Sequence, residues 1–167
     1  LLLRVDSAGY QAERNEDNNL RASAAIALTL PAVPDLVIED VQVPAVIEAG
    51  KAVTLQWTQR NQGEGATTRG WYDEVYLSSD AQWSNSDIYI GALYTNTALA
   101  AGASREVSLS LTIPREYTGT WYVIVRGDAY DALEELHDED NNDQASTATV
   151  QVVVAVEDLV PTAITAP

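Results

Sequence analysis

Ten oxygen-bearing side chains crowd one short stretch. Asp128, Asp131, Glu134, Glu135, Asp138, Glu139, Asp140, Asn141, Asn142 and Asp143 lie within sixteen positions. Carboxylates and amides at that density are what a hard divalent cation takes, about six to eight oxygens in a flexible shell. Without a cation such a loop repels itself, and Ca2+ would order it. The candidate ligands are Asp128, Asp131, Glu135, Asp138, Asp140 and Asn141. The same residue types also make turns, because Asn and Asp tolerate left-handed φ and bond to nearby backbone. Asn141 and Asn142 could therefore close the connection into the next strand with no metal. The spacing is not that of an EF-hand loop.

Two further sets have the same chemistry. Asp6, Asp17 and Asn18 stand near the start of the chain, and Asp80, Asn85 and Asp87 fall in the segment Ser79–Asp87. For the latter the alternative is a plain long hairpin loop with Trp83 folded over it as a plug. His137 is the sole histidine and lies among carboxylates, which favour its charged form. With no paired nucleophile or second ligand it reads as a loop residue.

Catalysis has little to stand on. There is no nucleophile elbow, phosphate loop or metalloprotease helix. A single histidine in an acidic loop gives little support for a Ser-His-Asp arrangement. The absence of cysteine removes disulfides, thiol chemistry and zinc-thiolate sites. The charge excludes other classes: 25 acidic against 9 basic residues give a net charge of −16. Such a chain repels nucleic acid and anionic membrane surfaces. The longest apolar run, Val150 to Val156, contains Gln151 and is far too short to cross a bilayer.

The acidic segments are copies of one another. Glu16-Asp17-Asn18-Asn19 returns as Glu139-Asp140-Asn141-Asn142, an offset of 123. The offset persists through Ala22/Ala145, Ser23/Ser146 and Asp35-Leu36-Val37 against Asp158-Leu159-Val160. Arg4 and Asp6 match Arg126 and Asp128 at an offset of 122, so the loop between differs by one residue. A period this long is a whole domain in a tandem array. On this reading residues 1–33 are the C-terminal strands of one repeat. Residues 34–156 are a complete repeat, and 157–167 begin the first strand of another.

The complete repeat reads as strands. Segments 35–43, 53–58, 71–77, 88–94, 105–113, 120–126 and 146–154 carry period-two patterning with turn residues between them. The clearest is Val107, Leu109, Leu111 and Ile113 alternating with Ser108, Ser110 and Thr112. Tyr130 to Leu136 is the one helix-like stretch. About seven such strands predict an all-β, Ig-like antiparallel sandwich, with Trp57 and Trp121 in its core. Trp71, Tyr72, Tyr76, Trp83, Tyr89 and Tyr94 cluster in one part of the repeat, where exposed rings could stack on sugars. Alternation allows only half of residues 71–77 to face outward.

Several blocks carry a family resemblance: Asp35-Leu36-Val37-Ile38, Val43-Pro44, Ala49-Gly50, Val53 to Trp57, Asn61-Gln62-Gly63, Asp73-x-Val75-Tyr76-Leu77-Ser78-Ser79-Asp80, Leu99-x-x-Gly102, Gly119 to Val125 and Glu139-Asp140-Asn141-Asn142. Together, over Pro34 to Val154, they resemble the CARDB domain, a cell-adhesion-related module of bacteria. The resemblance implies an Ig-like sandwich used in tandem in large secreted or surface-attached proteins. It carries no catalytic residues.

The expectation is a non-enzymatic structural or adhesive repeat of an extracellular or cell-surface fibre, stalk or adhesin. Calcium at acidic loops near the junctions would stiffen it. Its partners would be neighbouring repeats, other copies joined by strand exchange, or surface glycans. The alternative is a carbohydrate-binding module of a secreted protein. The linker Leu30 to Pro34 holds Pro31 and Pro34, which stiffen it.

Overall fold

The computed structural model describes residues 1–135 and 141–154, with Glu16 described in its backbone only. Asp138, Asp140 and His137, and the strand expected at 157–167, lie outside the described residues. The chain divides into two compact units, Leu1–Pro31 and Ala32–Pro167.

The first unit is a hairpin. Strands β1 (Leu2–Arg4) and β2 (Leu20–Ala22) pair antiparallel, with the short 3-10 turn Glu16–Asn18 between them.

The second unit is a two-sheet β-sandwich. Its strands are β3 (Leu36–Gln42), β4 (Val46–Ala49), β5 (Ala52–Asn61), β6 (Trp71–Ser78), β7 (Ile88–Thr95), β8 (Ser104–Thr112), β9 (Gly119–Arg126), β10 (Asp143–Ala145) and β11 (Val150–Val154). One sheet runs β3-β5-β8 and the other β4-β11-β9-β6-β7, with β10 also on β9. Among the described residues two of the nine strands, β4 and β10, were not expected from the sequence, for physical reasons. The segment expected as one strand up to Pro44 leaves the first sheet there, and β4 then lies parallel to β11 in the second. Pro44, which lacks a backbone donor, sits where neither ladder needs one.

The last strand is shorter than expected, Val150–Val154 in place of 146–154, and β10 precedes it as a further strand. β10 pairs with Ile124 to Arg126 and β11 with Gly119 to Trp121. Between them the Ser146 hydroxyl accepts the Val123 N–H at 3.2 Å and donates to the Ala148 carbonyl at 2.8 Å. The helix expected over Tyr130 to Leu136 is absent among its described residues. Tyr130 lies in a turn and residues 131–135 form no helix or strand.

The inward faces make a core of Ile38, Ile47, Leu55, Trp57, Val75, Leu77, Val123, Val125, Val150 and Val152. Trp57 is fully buried as expected, and Trp121 packs half-buried against the same core. A second cluster, Leu36, Trp71, Leu99 and Leu133, closes one end. Burial of these residues supplies the main stabilisation of a fold with no cross-links.

Asn61 joins the pieces at that end. Its side-chain oxygen accepts the N–H of Asp35 and of Gly63, each at 3.1 Å. Its Nδ2 donates to the carbonyls of Gly65, Leu99 and Ala100 at 2.8, 3.1 and 3.2 Å. A Cβ on Gly63 would stand 2.5 Å from the Asp35 nitrogen, so only glycine admits the chain this close.

Candidate functional site

The acidic loop begins at Asp128, in the left-handed region with φ 42. Its carboxylate is buried and accepts the N–H of Ala132 at 3.0 Å and of Leu133 at 2.7 Å. Its carbonyl accepts the Asp131 N–H at 2.9 Å. Burial, the largest influence, raises its pKa, while the two backbone donors oppose the rise. This carboxylate organises a turn.

The first unit repeats the arrangement atom for atom. Asp6 also has φ 42. Its carboxylate accepts the N–H of Tyr10 and Gln11, each at 2.9 Å, and its carbonyl accepts from Gly9 at 3.0 Å. The strand registers agree as well. Arg4↔Leu20 corresponds to Arg126↔Asp143, Leu3↔Arg21 to Val125↔Gln144, and Leu2↔Ala22 to Ile124↔Ala145. The bonds Val5 N–H to Asn19 and Ser23 N–H to Leu1 have their counterparts in Gly127 to Asn142 and Ser146 to Val123.

The far side of the acidic loop meets the start of β3. Glu135 accepts the Leu36 N–H at 2.7 Å and the Asn142 amide at 3.5 Å. Asn141 donates to Asp35 at 3.1 Å. The side-chain oxygens of Asn141 and Asn142 are both buried and have no hydrogen-bond partner among the described residues. Buried acceptors left this way are uncommon and costly. Of the expected ligands, the structure thus gathers Glu135 and Asn141 with Asp35 and Asn142. Asp131 is exposed, and Asp128 is committed to its turn.

The other expected sets are engaged locally. Asp17 is exposed and its N–H donates to Asn15 at 3.0 Å, while Asn18 ends the 3-10 turn. Asp80 accepts the Gln82 N–H and Asp87 accepts the Ser84 N–H, both at 2.8 Å. Asn85 is exposed. Among the described residues, no three Asp, Glu, His or Cys side chains form a group that could hold a metal ion.

The aromatic set divides by face. Trp71 is buried, whereas Tyr72, Tyr89 and Tyr94 are exposed, joined by Tyr130 from the acidic loop. Trp83 folds back edge-on to Tyr76, with centroids 6.2 Å apart, and the Arg126 guanidinium lies 4.1 Å from its ring centre. The ring lies against β6 and β9, and a cation–π contact holds it there.

Two groups escaped sequence reasoning. Asp73 is fully buried and accepts the indole N–H of Trp57 at 2.8 Å and of Trp71 at 3.0 Å, and the Gln59 amide at 2.6 Å. Glu74, on the opposite face of β6, takes the hydroxyls of Tyr76 and Tyr130. An acid at an inward phase, flanked by Trp71 and Val75, was the available signal for Asp73.

The CARDB family model matches residues 33–146. A CARDB domain from Pyrococcus furiosus, crystallised in complex with di-metal ions, is 18% identical with a TM-score of 0.54, covering 76% of this chain and 100% of its own. A solution structure of that domain is 19% identical with a TM-score of 0.53, covering 75% of this chain and all of its own. At such identities the likeness concerns the fold. A β-glucosidase from Listeria innocua in complex with glucose is 17% identical with a TM-score of 0.45, over 71% of this chain and 16% of its own. No curated protein matches the chain. No helix among the described residues is long and apolar enough to cross a membrane.

Proposed function

The chain belongs to the CARDB family, a cell-adhesion-related domain family, and on that premise we propose that it is a non-catalytic structural and adhesive repeat. It works at the cell surface or outside the cell, in a tandem array. One observation carries the reading: β1–β2 and β9–β10 share their register and their Asp-centred turn, Asp6 for Asp128. Leu1, Leu2 and Leu3 occupy the positions of Val123, Ile124 and Val125. The former are exposed and the latter buried. An apolar hairpin of this kind suits burial by the remainder of another repeat, whether in the same chain or in a second copy by strand exchange.

Calcium at the acidic end is part of the proposal. The oxygens of Asn141 and Asn142, buried and without a partner among the described residues, lie beside the carboxylates of Asp35 and Glu135 and are the donor types Ca2+ takes. These four residues would hold the ion where the repeat begins. A bound ion would supply charge neutralisation between the start of β3 and the loop. The di-metal complex of the Pyrococcus furiosus domain supports a cation role in a related fold.

Calorimetric unfolding in chelator and then in millimolar Ca2+ tests the cation. A rise in melting temperature that Asn141→Ala and Asn142→Ala together remove is expected. No rise at low ionic strength would return the loop to turn chemistry alone. Small-angle scattering of a two-repeat protein tests the stalk: an extended, narrow distribution of lengths is expected, and freely jointed repeats would refute it.

A further inference from the structure

The outer face of β6 and β7 carries a built aromatic surface that the adhesive reading above does not use. Tyr72, Tyr94, Tyr89 and Tyr130 are 42%, 52%, 54% and 64% exposed. Tyr72 and Tyr94 are cross-strand partners, as are Tyr76 and Tyr89. A register shift between Val75 and Tyr76 lets Tyr89 and Tyr94, an odd number of residues apart, reach the same face.

The rings are held in place although they are wet. Tyr72 lies 4.7 Å from Tyr94 and 5.7 Å from Tyr130, and Tyr76 lies 5.8 Å from Tyr89. Glu74 stands between Tyr72 and Tyr76 on the strand and accepts the Tyr130 hydroxyl at 2.6 Å and the Tyr76 hydroxyl as well. A Cβ on Gly70 would come 2.4 Å from the Tyr94 hydroxyl, so the glycine makes room for that ring. Tyrosines fixed before binding lose little entropy on binding, which is why they dominate interface energetics.

Ring geometry and charge choose the occupant. The interplanar angles are 39° for Tyr72–Tyr94, 81° for Tyr72–Tyr130 and 73° for Tyr76–Tyr89. Rings so tilted do not form the flat strip on which a sugar chain lies. They form steps with a carboxylate alongside, which suits a guanidinium. The protein's net charge of −16 attracts cationic partners and opposes self-association through this face. At its rim the chain already uses this chemistry, with Arg126 seated on the Trp83 ring.

We propose that the Tyr72–Tyr94–Tyr130 face, with Glu74, docks an arginine-bearing segment of a basic partner protein. Arginine side chains stack on the tyrosines, and Glu74 fixes their charge. The proposal does not depend on calcium at the acidic end.

The test titrates the full chain with a capped Gly-Arg-Gly-Arg-Gly-Arg peptide at low salt, followed by tyrosine fluorescence and calorimetry. The same titration is run with the citrulline analogue and with cellohexaose. The double variant Tyr72→Ser/Tyr130→Ser changes exposed side chains only, and its unfolding curve checks the fold. The expected result is arginine-peptide binding that is weakened about ten-fold in the double variant, the order of one or two exposed cation–π contacts. Glu74→Gln is expected to weaken it several-fold. Equal affinity for both proteins would overturn the proposal in favour of diffuse charge attraction. So would tyrosine-dependent binding of cellohexaose without binding of the peptide, which would mark a sugar platform.

Discussion

The indole N–H of Trp57 donates to the carboxylate of Asp73 across 2.8 Å, joining the two sheets through the interior. Trp57 stands on β5 and Asp73 on β6. Gln59 adds a second cross-sheet bond to the same oxygen and a third to Thr95 at 3.0 Å, while Arg105 holds the Gln59 carbonyl oxygen at 2.6 Å. Removing a partner from a buried polar cluster leaves an uncompensated group, so the whole set is fixed by its least replaceable member.

The first prediction concerns pH. Burial outweighs the donors from Gln59, Trp57, Trp71 and the Asp128 backbone and raises the Asp73 pKa from 3.8 to about 6. The unfolded chain ionises first, so between pH 4 and 6 unfolding releases a proton and stability falls as pH rises. Above pH 6 both states are ionised and the loss is complete, about 3 kcal/mol for two pKa units. Urea unfolding at pH 4.5 and 7 should show greater stability at the lower pH. Repulsion among surface carboxylates has the same sign, so Asp73→Asn separates the two: most of the pH step should vanish in that variant. An unchanged step would place its origin elsewhere.

Asn61 is the second. Its amide donates to three carbonyls and its oxygen accepts two N–H groups. Asn61→Asp is nearly the same shape but turns a carboxylate oxygen toward those carbonyls in a buried place. It should cost about 3–5 kcal/mol in urea unfolding, and more at pH 7 than at pH 4. A loss below about 1 kcal/mol would mean that water replaces the amide.

Gly63 offers a steric test. A methyl there would meet the backbone of Asp35 at 2.5 Å and of Pro34 at 2.6 Å, and backbone cannot step aside as a side chain can. Gly63→Ala should cost about 2 kcal/mol or more and perturb the amide signals of Asp35 and Leu36 first. Gly102, with φ 71 and open space around its Cβ position, should cost only the smaller backbone strain of about 1 kcal/mol.

Period-two patterning made the long strands legible, because a strand with one buried face must alternate. The Ser104–Thr112 strand shows that alternation at every residue. Val46–Ala49 was not legible, since four residues carry too little pattern and its partner β11 lies about a hundred residues away and parallel. The break at Ser146 was hidden because a serine hydroxyl replaces a ladder bond without changing the apolar phase. The acidic loop was legible as a place and not as a mechanism. Composition cannot distinguish a carboxylate that caps its own turn, as in Asp128, from one left open to a ligand. Only the bonds show that the side-chain oxygens of Asn141 and Asn142 have no partner among the described residues.

Asp128 therefore supplies the discriminating variant for the loop. If its carboxylate acts chiefly on the N–H groups of Ala132 and Leu133, its loss must be felt with no metal present. Asp128→Ala removes both acceptors and leaves at φ 42 a side chain with no polar group to bond the local backbone, which should cost about 2–4 kcal/mol in chelator. Asp128→Asn keeps one acceptor and a residue tolerant of that φ, and should lose less than half as much. Burial raises the Asp128 pKa, so its own contribution to pH dependence has the sign worked out for Asp73. Unfolding of both variants in chelator and in Ca2+ completes the comparison. Losses that appear only with Ca2+ would make Asp128 a ligand; equal losses in both conditions are the expected result and leave the cation to Asn141, Asn142, Asp35 and Glu135.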